Sequence, residues 1–244
     1  MSSLRAKCPD CLTYTAVAMG PDYECHSCGR QFAAGLVRVP RAWGDGGELM
    51  EEAARLPLGY PEALVVDEET LSEQNLSLAA GLPGRPLVLG GCCCSHVGAV
   101  EGLAARHGRI AVVWLDSHGD LNTPATSPSG NAWGMPLRML IDDGVIDAED
   151  VALVGARNLD PPEQEYIVES GIHREIAPAL AGVGCVYVAL DVDVLEPTDL
   201  SVFMPEPNGP SIADVEATLR SVAAHAHVIG AGFTGLAPDP ANVP

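Results

Sequence analysis

The sequence predicts an α/β fold: a three-layer arrangement in which a parallel sheet carries helices on both faces, preceded by a small cysteine-bearing module. Three observations carry this. Short apolar, β-branched runs alternate with helical patterns through most of the 244 residues. Four of the eight cysteines fall in two Cys-x2-Cys pairs near the N-terminus. The charge divides as the cysteines do. Residues 1–41 hold five basic and three acidic residues (net +2), and residues 42–244 hold 8 and 30 (net −22). The domain reading follows that division: 1–41 is a small module with its linker, and 42–244 is the larger acidic domain.

In the first module, Cys8, Cys11, Cys25 and Cys28 form two knuckles separated by 13 residues. A two-residue spacing lets both sulfurs of a knuckle reach one ion, and four thiolates complete a tetrahedral Zn²⁺ shell. The spacer suits a hairpin from Thr13 to Tyr23 with a turn at Gly20 and Pro21. So short a segment has little core, so a structural zinc would supply most of its folding energy. The expected module is a zinc ribbon, with two disulfides or a redox pair as the other readings of these cysteines. His26 lies inside a knuckle but has no place in a filled shell. Residues 37–43 are expected to be the linker.

In the acidic domain, the expected strands are 63–66, 86–89, 110–115, 151–154, 186–190 and 228–232. The helices between them are expected at 46–55, 95–106, 133–141, 162–170 and 212–226. Asp160 with the two prolines after it starts one helix, and Ser211 caps the last. Strands that are apolar throughout are buried on both sides, which implies a parallel sheet between helical layers. No apolar run reaches the roughly 18 residues that span a bilayer, and the first residues lack an apolar signal core. The expected protein is soluble and cytoplasmic, with no membrane contact. A net charge of −20 argues against a nucleic-acid partner.

Ligands of open parallel sheets bind beyond the carboxyl ends of the strands. Three such ends carry chemistry. Asp116, His118 and Asp120 follow one strand, Asp191 and Asp193 follow another, and Cys92, Cys93 and Cys94 follow Gly90 and Gly91 after a third. Side chains two apart in an extended segment share a face. Four carboxylates brought together would repel unless cations sat between them. A metal site explains them, with ligands enough for two ions, and carboxylates with an imidazole suit Mn²⁺, Fe²⁺ or Mg²⁺.

These segments, at 88–91, 114–124, 129–131 and 190–197, resemble the ureohydrolases: arginase, agmatinase and formimidoylglutamase. The resemblance implies an arginase-like fold, a homo-oligomer, a small-molecule substrate and hydrolysis of C–N bonds other than peptide bonds in linear amidines. It implies two Mn²⁺ ions (or Fe or Zn) bridged by Asp116 and Asp191. His118 and Asp193 complete one ion, and Asp120 and Cys93 the other. A hydroxide held between the ions would be the nucleophile, with Asp120 as the catalytic residue handling its proton. Asn122, Ser129 and Asn131 match positions that hold the amino-acid end of the substrate.

The sequence also departs from the family. Cys93 stands where the family has a histidine ligand, and a thiolate favours zinc or iron over manganese. His96 is the alternative source of an imidazole. Trp133 replaces a proton-moving histidine, and Gly235 replaces the glutamate that grips the guanidinium. The expected activity is therefore not that of a standard arginase, and the expected pocket is smaller or more apolar near Trp133. The substrate would carry less charge at its reacting end or meet its counter-charge on another chain. The alternative is a catalytically degenerate arginase-like domain that acts as a protein-interaction module through its zinc ribbon. An amidase acting on an acylated amine is more distant.

Overall fold

The computed structural model describes residues 5–20 and 22–243. The chain opens with four short strands, β1 (Arg5–Ala6), β2 (Ala16–Met19), β3 (Asp22–Cys25) and β4 (Gln31–Ala33), paired antiparallel in chain order. Their core is small: Ala6, Cys8, Ala16, Tyr23 and Cys25 are its buried members.

The larger unit follows as β5 (Leu36–Val39), α1 (Glu48–Ala53), β6 (Glu62–Val65), α2 (Leu71–Gly81), β7 (Leu87–Gly90), α3 (Ser95–His107), β8 (Ala111–Leu115), α4 (Pro136–Asp142), β9 (Val151–Val154), α5 (Pro161–Ser170), α6 (Ile176–Ala179), β10 (Cys185–Asp191), α7 (Ile212–His225) and β11 (His227–Thr234). Its seven strands run parallel in the order β6-β5-β7-β11-β10-β8-β9. Residues of α2, α3 and α4 pack on one face, around Leu78, Val97, Val100, Leu103, Leu137 and Leu140. Residues of α1, α6 and α7 pack on the other, around Ala53, Ala179, Val215 and Val222. Among the described residues no helix is long and apolar enough to cross a membrane.

All six expected strands and all five expected helices are present, with ends shifted by a few residues. One expectation is corrected. Residues 37–39, read as linker, belong to β5, which lies between β6 and β7. Leu36, Val37 and Val39 are almost fully buried, whereas Arg38 reaches out to Glu62 and the Ala54 carbonyl. A four-residue strand interrupted by an arginine is too short to show its periodicity. Two helices, α2 and α6, were not expected. The start of α2 is fixed by an N-cap: the Thr70 hydroxyl accepts from the Glu73 N–H and donates to the Glu73 carboxylate. A full capping box, with the N3 side chain accepting from the cap's own N–H, starts α5 (Asp160 with Glu163) and α7 (Ser211 with Asp214).

Candidate metal centre

The carboxyl ends of β7, β11, β10 and β8, four neighbours in the sheet, bring the candidate residues together. Cys93 follows β7, Asp191 ends β10 with Asp193 in the turn after it, and Asp116, His118 and Asp120 follow β8. Thr234 ends β11. Two groups result, each with ligand atoms within 4.8 Å of one another: Cys93, Asp116 and Asp120, and Asp116, His118 and Asp193. Asp116 belongs to both.

Backbone and second-row donors fix these carboxylates. Asp116 accepts from the His118 N–H at 2.7 Å and from the Trp114 indole N–H at 3.3 Å. Asp193 accepts from the Ser117 hydroxyl at 2.7 Å and lies 3.1 Å from His118 Nδ1. Asp191 Oδ2 accepts from Thr234 at 2.9 Å and from the Cys93 thiol at 3.0 Å. Asp120 Oδ2 is buried and has no hydrogen-bond partner. An unpartnered buried carboxylate oxygen is costly, and a cation is the partner its surroundings lack.

The electrostatics agree. Burial, with Asp193 alongside, pushes Asp191 up to about 6. Burial also raises Asp120 and Asp193, with the charge of Asp116 adding to both. Burial and the surrounding aspartates raise the Cys93 thiol. Burial pulls His118 down, but its contacts with Asp116 and Asp193 outweigh that and hold it up at about 12. Buried acids that push one another up mark a cluster short of positive charge. Divalent ions would supply that charge.

A cavity of about 190 Å³ opens on this cluster. Asn122 and Ser129 line it, while Asn131 does not: its amide oxygen accepts from the Asp45 N–H. Asn122 is itself engaged, donating to Asp160 and accepting from Thr126. His96 is turned away from the cluster. It is fully buried, with Nδ1 at 3.0 Å from the Tyr187 hydroxyl and Nε2 at 3.4 Å from Thr234. Asp160, read from the sequence only as a helix start, and Glu163, which no motif marked, also line the cavity. Sequence reasoning also passed over Phe203 and Met204, which come from a loop with no periodicity.

At the other end of the molecule, the four N-terminal cysteines form a second cluster within 4.8 Å. Cys8 and Cys28 lie 3.7 Å apart, and Cys11 and Cys25 3.5 Å. An edge of roughly 3.8 Å is what four sulfurs about 2.3 Å from a central ion would have. The two knuckles are built alike. The N–H of Leu12 returns to the Cys8 carbonyl and that of Gly29 to the Cys25 carbonyl, with positive φ at both (59° and 74°).

Comparison with known proteins supplies the context. The family model described as "Arginase family" matches residues 62–242. The arginase of Bacillus caldovelox is 31% identical over 229 residues, covering 77% of this chain and 73% of that one. The arginase of Staphylococcus aureus strain COL is 32% identical over 168 residues, 57% of this chain and 55% of that one. Among solved structures, arginase from Bacillus subtilis superposes with a TM-score of 0.73 at 26% identity, covering 84% of this chain and 90% of its own. Formimidoylglutamase from Bacillus subtilis shares the fold (TM-score 0.67, 18% identity, 84% and 79% covered). The family match, the relatives and the fold agree with the cluster at the sheet's carboxyl edge: the chain belongs to the arginase family.

Proposed function

We propose that the chain is a binuclear-metal hydrolase of C–N bonds, acting on a guanidino, formimino or related amidine or amide substrate, and that it is not a standard arginase. The observation that carries this is the sharing of Asp116 between two three-residue clusters at the carboxyl edge of the sheet. The donors fit a metal pair: three aspartates, an imidazole and a thiol make up the two clusters, Asp191 lies outside both but 3.0 Å from the Cys93 thiol, and Asp120 keeps one oxygen without a partner. Asp116 and Asp191 would bridge. His118 and Asp193 would serve one position, Asp120 and Cys93 the other. The Cys93 thiol tilts the preference toward zinc or iron. The four N-terminal cysteines would hold one structural zinc.

When bound, a pair of divalent cations would supply an activated water at neutral pH and stabilise the negative charge that develops as it adds to the substrate. The chain's residues do the rest. In the reaction, the water oxygen bonds to the carbon, the C–N bond breaks, and the departing nitrogen leaves with a proton. Asp120, which lines the cavity, would carry that proton. Ser117 and the His118 N–H hold Asp193 and Asp116 in position. Asn122 and Ser129 would hold the far end of the substrate, and Asp160 and Glu163 would receive an amine there.

Gly235 argues against arginine. Its φ is +76°, and a Cβ there would strike the Asp191 carboxylate. A side chain here would be strained and would displace that carboxylate, and with glycine in place a guanidinium would leave water without the paired carboxylate that offsets its desolvation. Metal analysis of protein purified without chelator tests the reading. The expected content is one zinc plus two further equivalents. Asp116→Asn should lose both further ions and keep the zinc, while Cys11→Ser should do the reverse. With both sites filled, urea release from arginine should stay below about 10 s⁻¹. Full metal retention by Asp116→Asn would overturn the metal assignment, and faster arginine turnover would leave arginase as the answer.

A further inference from the structure

Arg157, just past the end of β9, uses every N–H of its guanidinium. Nε donates to the Pro207 carbonyl at 3.0 Å. Nη1 donates to the carbonyls of Gly155 at 3.2 Å and Val194 at 3.1 Å, and Nη2 to those of Asp193 at 3.1 Å and Glu206 at 2.7 Å. A guanidinium has five N–H groups in one plane, so none is left over. The carbonyls belong to three pieces of chain: the end of β9, the turn after β10 that carries Asp193, and the 201–208 loop that brings Phe203 and Met204 to the cavity. The backbone adds a fourth. The N–H groups of Arg157 and Asn158 both donate to the Ser117 carbonyl, at 2.8 and 2.9 Å, in the turn that carries Asp116 and His118.

No strand ladder joins β9 to β10, because β8 lies between them. Arg157 reaches across the end of β8 instead. Gly155 permits the crowding: its φ is +88°, and a Cβ there would strike the Val194 side chain. The next residue acts on the same place. The Asn158 amide donates to the Glu206 carboxylate at 2.8 Å, and that carboxylate lies 3.9 Å from His118 Nε2. All these contacts converge on one of the two clusters, Asp116, His118 and Asp193. None of the hydrogen bonds reaches Cys93 or Asp120, which belong to the other.

We propose that Arg157 is the positioning residue for one ion of the pair: it builds the Asp116–His118–Asp193 position and couples the filling of that position to the 201–208 loop. This rests on the binuclear-metal reading for the ion itself. Arg157 acts through the backbone around Asp193 and His118, not on the reacting atoms. Lysine cannot replace it, because an ammonium has three donors and no planar fork. Carbonyls that lose a donor in so crowded a place must find new partners, and the turn holding Asp193 would shift to provide them.

Metal content of the full-length protein, purified without chelator, gives the first readout. The unaltered chain should hold its zinc and two further equivalents. Arg157→Lys should hold the zinc and one, with affinity for the missing ion lowered at least about tenfold, as loss of a supporting partner does. Adding His118→Asn to Arg157→Lys should remove nothing more, whereas adding Asp120→Asn should empty the pair. Guanidinium at low concentration should restore the missing equivalent to Arg157→Ala, and methylammonium should not. Lost packing alone would weaken both positions together and would not respond to guanidinium. The coupling is read in the unaltered chain, which decides the matter even where a variant does not fold. Filling the pair should slow amide hydrogen exchange across residues 201–208, since coupling between two places is reciprocal. Retention of both equivalents by Arg157→Lys, equal weakening of the two, or exchange at 201–208 indifferent to metal would overturn the proposal while the binuclear reading stands. An unaltered chain that holds only its zinc would defeat the binuclear reading, and the proposal with it.

Discussion

At the scale of single residues, a buried chain of hydrogen bonds sits behind the acidic cluster. Tyr187, His96, Thr234 and Asp191 are linked in that order. One tautomer satisfies every member. The Tyr187 hydroxyl donates to His96 Nδ1, the Nε2–H donates to the Thr234 oxygen, and Thr234 donates to Asp191. Burial presses the His96 imidazole down to about 3, so it stays neutral and can act as both acceptor and donor. The chain ends on a carboxylate proposed to bridge the metals, and Thr234 also touches the Cys93 sulfur at 3.2 Å. Thr234→Val removes the donor while keeping the shape. It should weaken metal retention by roughly 10–100-fold, the usual effect of losing such a supporting partner, and Thr234→Ser should restore most of it. Competition against a chelator at fixed pH measures this. Unchanged retention in Thr234→Val would mean that the other contacts of Asp191 suffice. None of this chain was legible from the sequence. His96 looked like a substitute ligand because it lies three positions after Cys93. One turn of helix instead points it behind the site.

At the scale of elements, what could be read depended on length and contrast. The strands β8 and β10 are fully apolar runs ending in aspartates, so both the strand and its functional end showed in the sequence. Helix α2 is polar along most of its surface, and only its Thr70–Glu73 cap marks it. The cysteine knuckles were legible by spacing, but their backbone geometry was not. Leu12 occupies the left-handed region at φ 59° with its side chain exposed, whereas the matching position of the other knuckle is Gly29. A branched-chain residue pays strain of roughly 1–2 kcal/mol there, and asparagine less. Leu12→Asn should therefore tighten the ribbon by up to about 1 kcal/mol, since no packing is lost. Gly29→Ala should loosen it by a similar amount, about 1–2 kcal/mol. Zinc release to a chromogenic chelator, followed in time, reads both changes. Faster release from Leu12→Asn than from the unaltered chain would show that Leu12 packs in a way its exposure hides.

At the scale of the whole molecule, the seam between the ribbon and the sheet is narrower than charge and cysteine content suggest. Only Ala34 and Gly35 separate β4 from β5. Two contacts brace this seam from outside: the Lys7 N–H donates to the Gly59 carbonyl, and the Lys7 ammonium lies 5.9 and 5.8 Å from the rings of Tyr14 and Tyr60. The compositional boundary at residue 41 falls beyond a strand that the large sheet cannot lose. Without β5, the edge strand β6 has no neighbour and β7 becomes the edge. Leu36, Val37 and Val39, all within 1% of full burial, would leave the core. At about 1.5–3 kcal/mol for each such side chain, the loss approaches the whole stability of an ordinary domain, about 5–15 kcal/mol. Two shortened chains separate the possibilities. A chain of residues 35–244 should fold cooperatively and keep the two metal equivalents proposed for the acidic cluster, because β5 and every residue of that cluster remain. A chain of residues 42–244 should be insoluble or melt far lower and hold neither ion, because Gly90, Gly91 and the cysteines after them would lose the strand they pack beside: the Gly91 N–H donates to the Val39 carbonyl at 2.8 Å, and the Cys92 sulfur lies 3.7 Å from the Arg41 carbonyl. Thermal melting and metal content of the two, side by side, decide the matter. Equal stability would mean that the sheet closes without β5 and that the boundary lies where the charge changes.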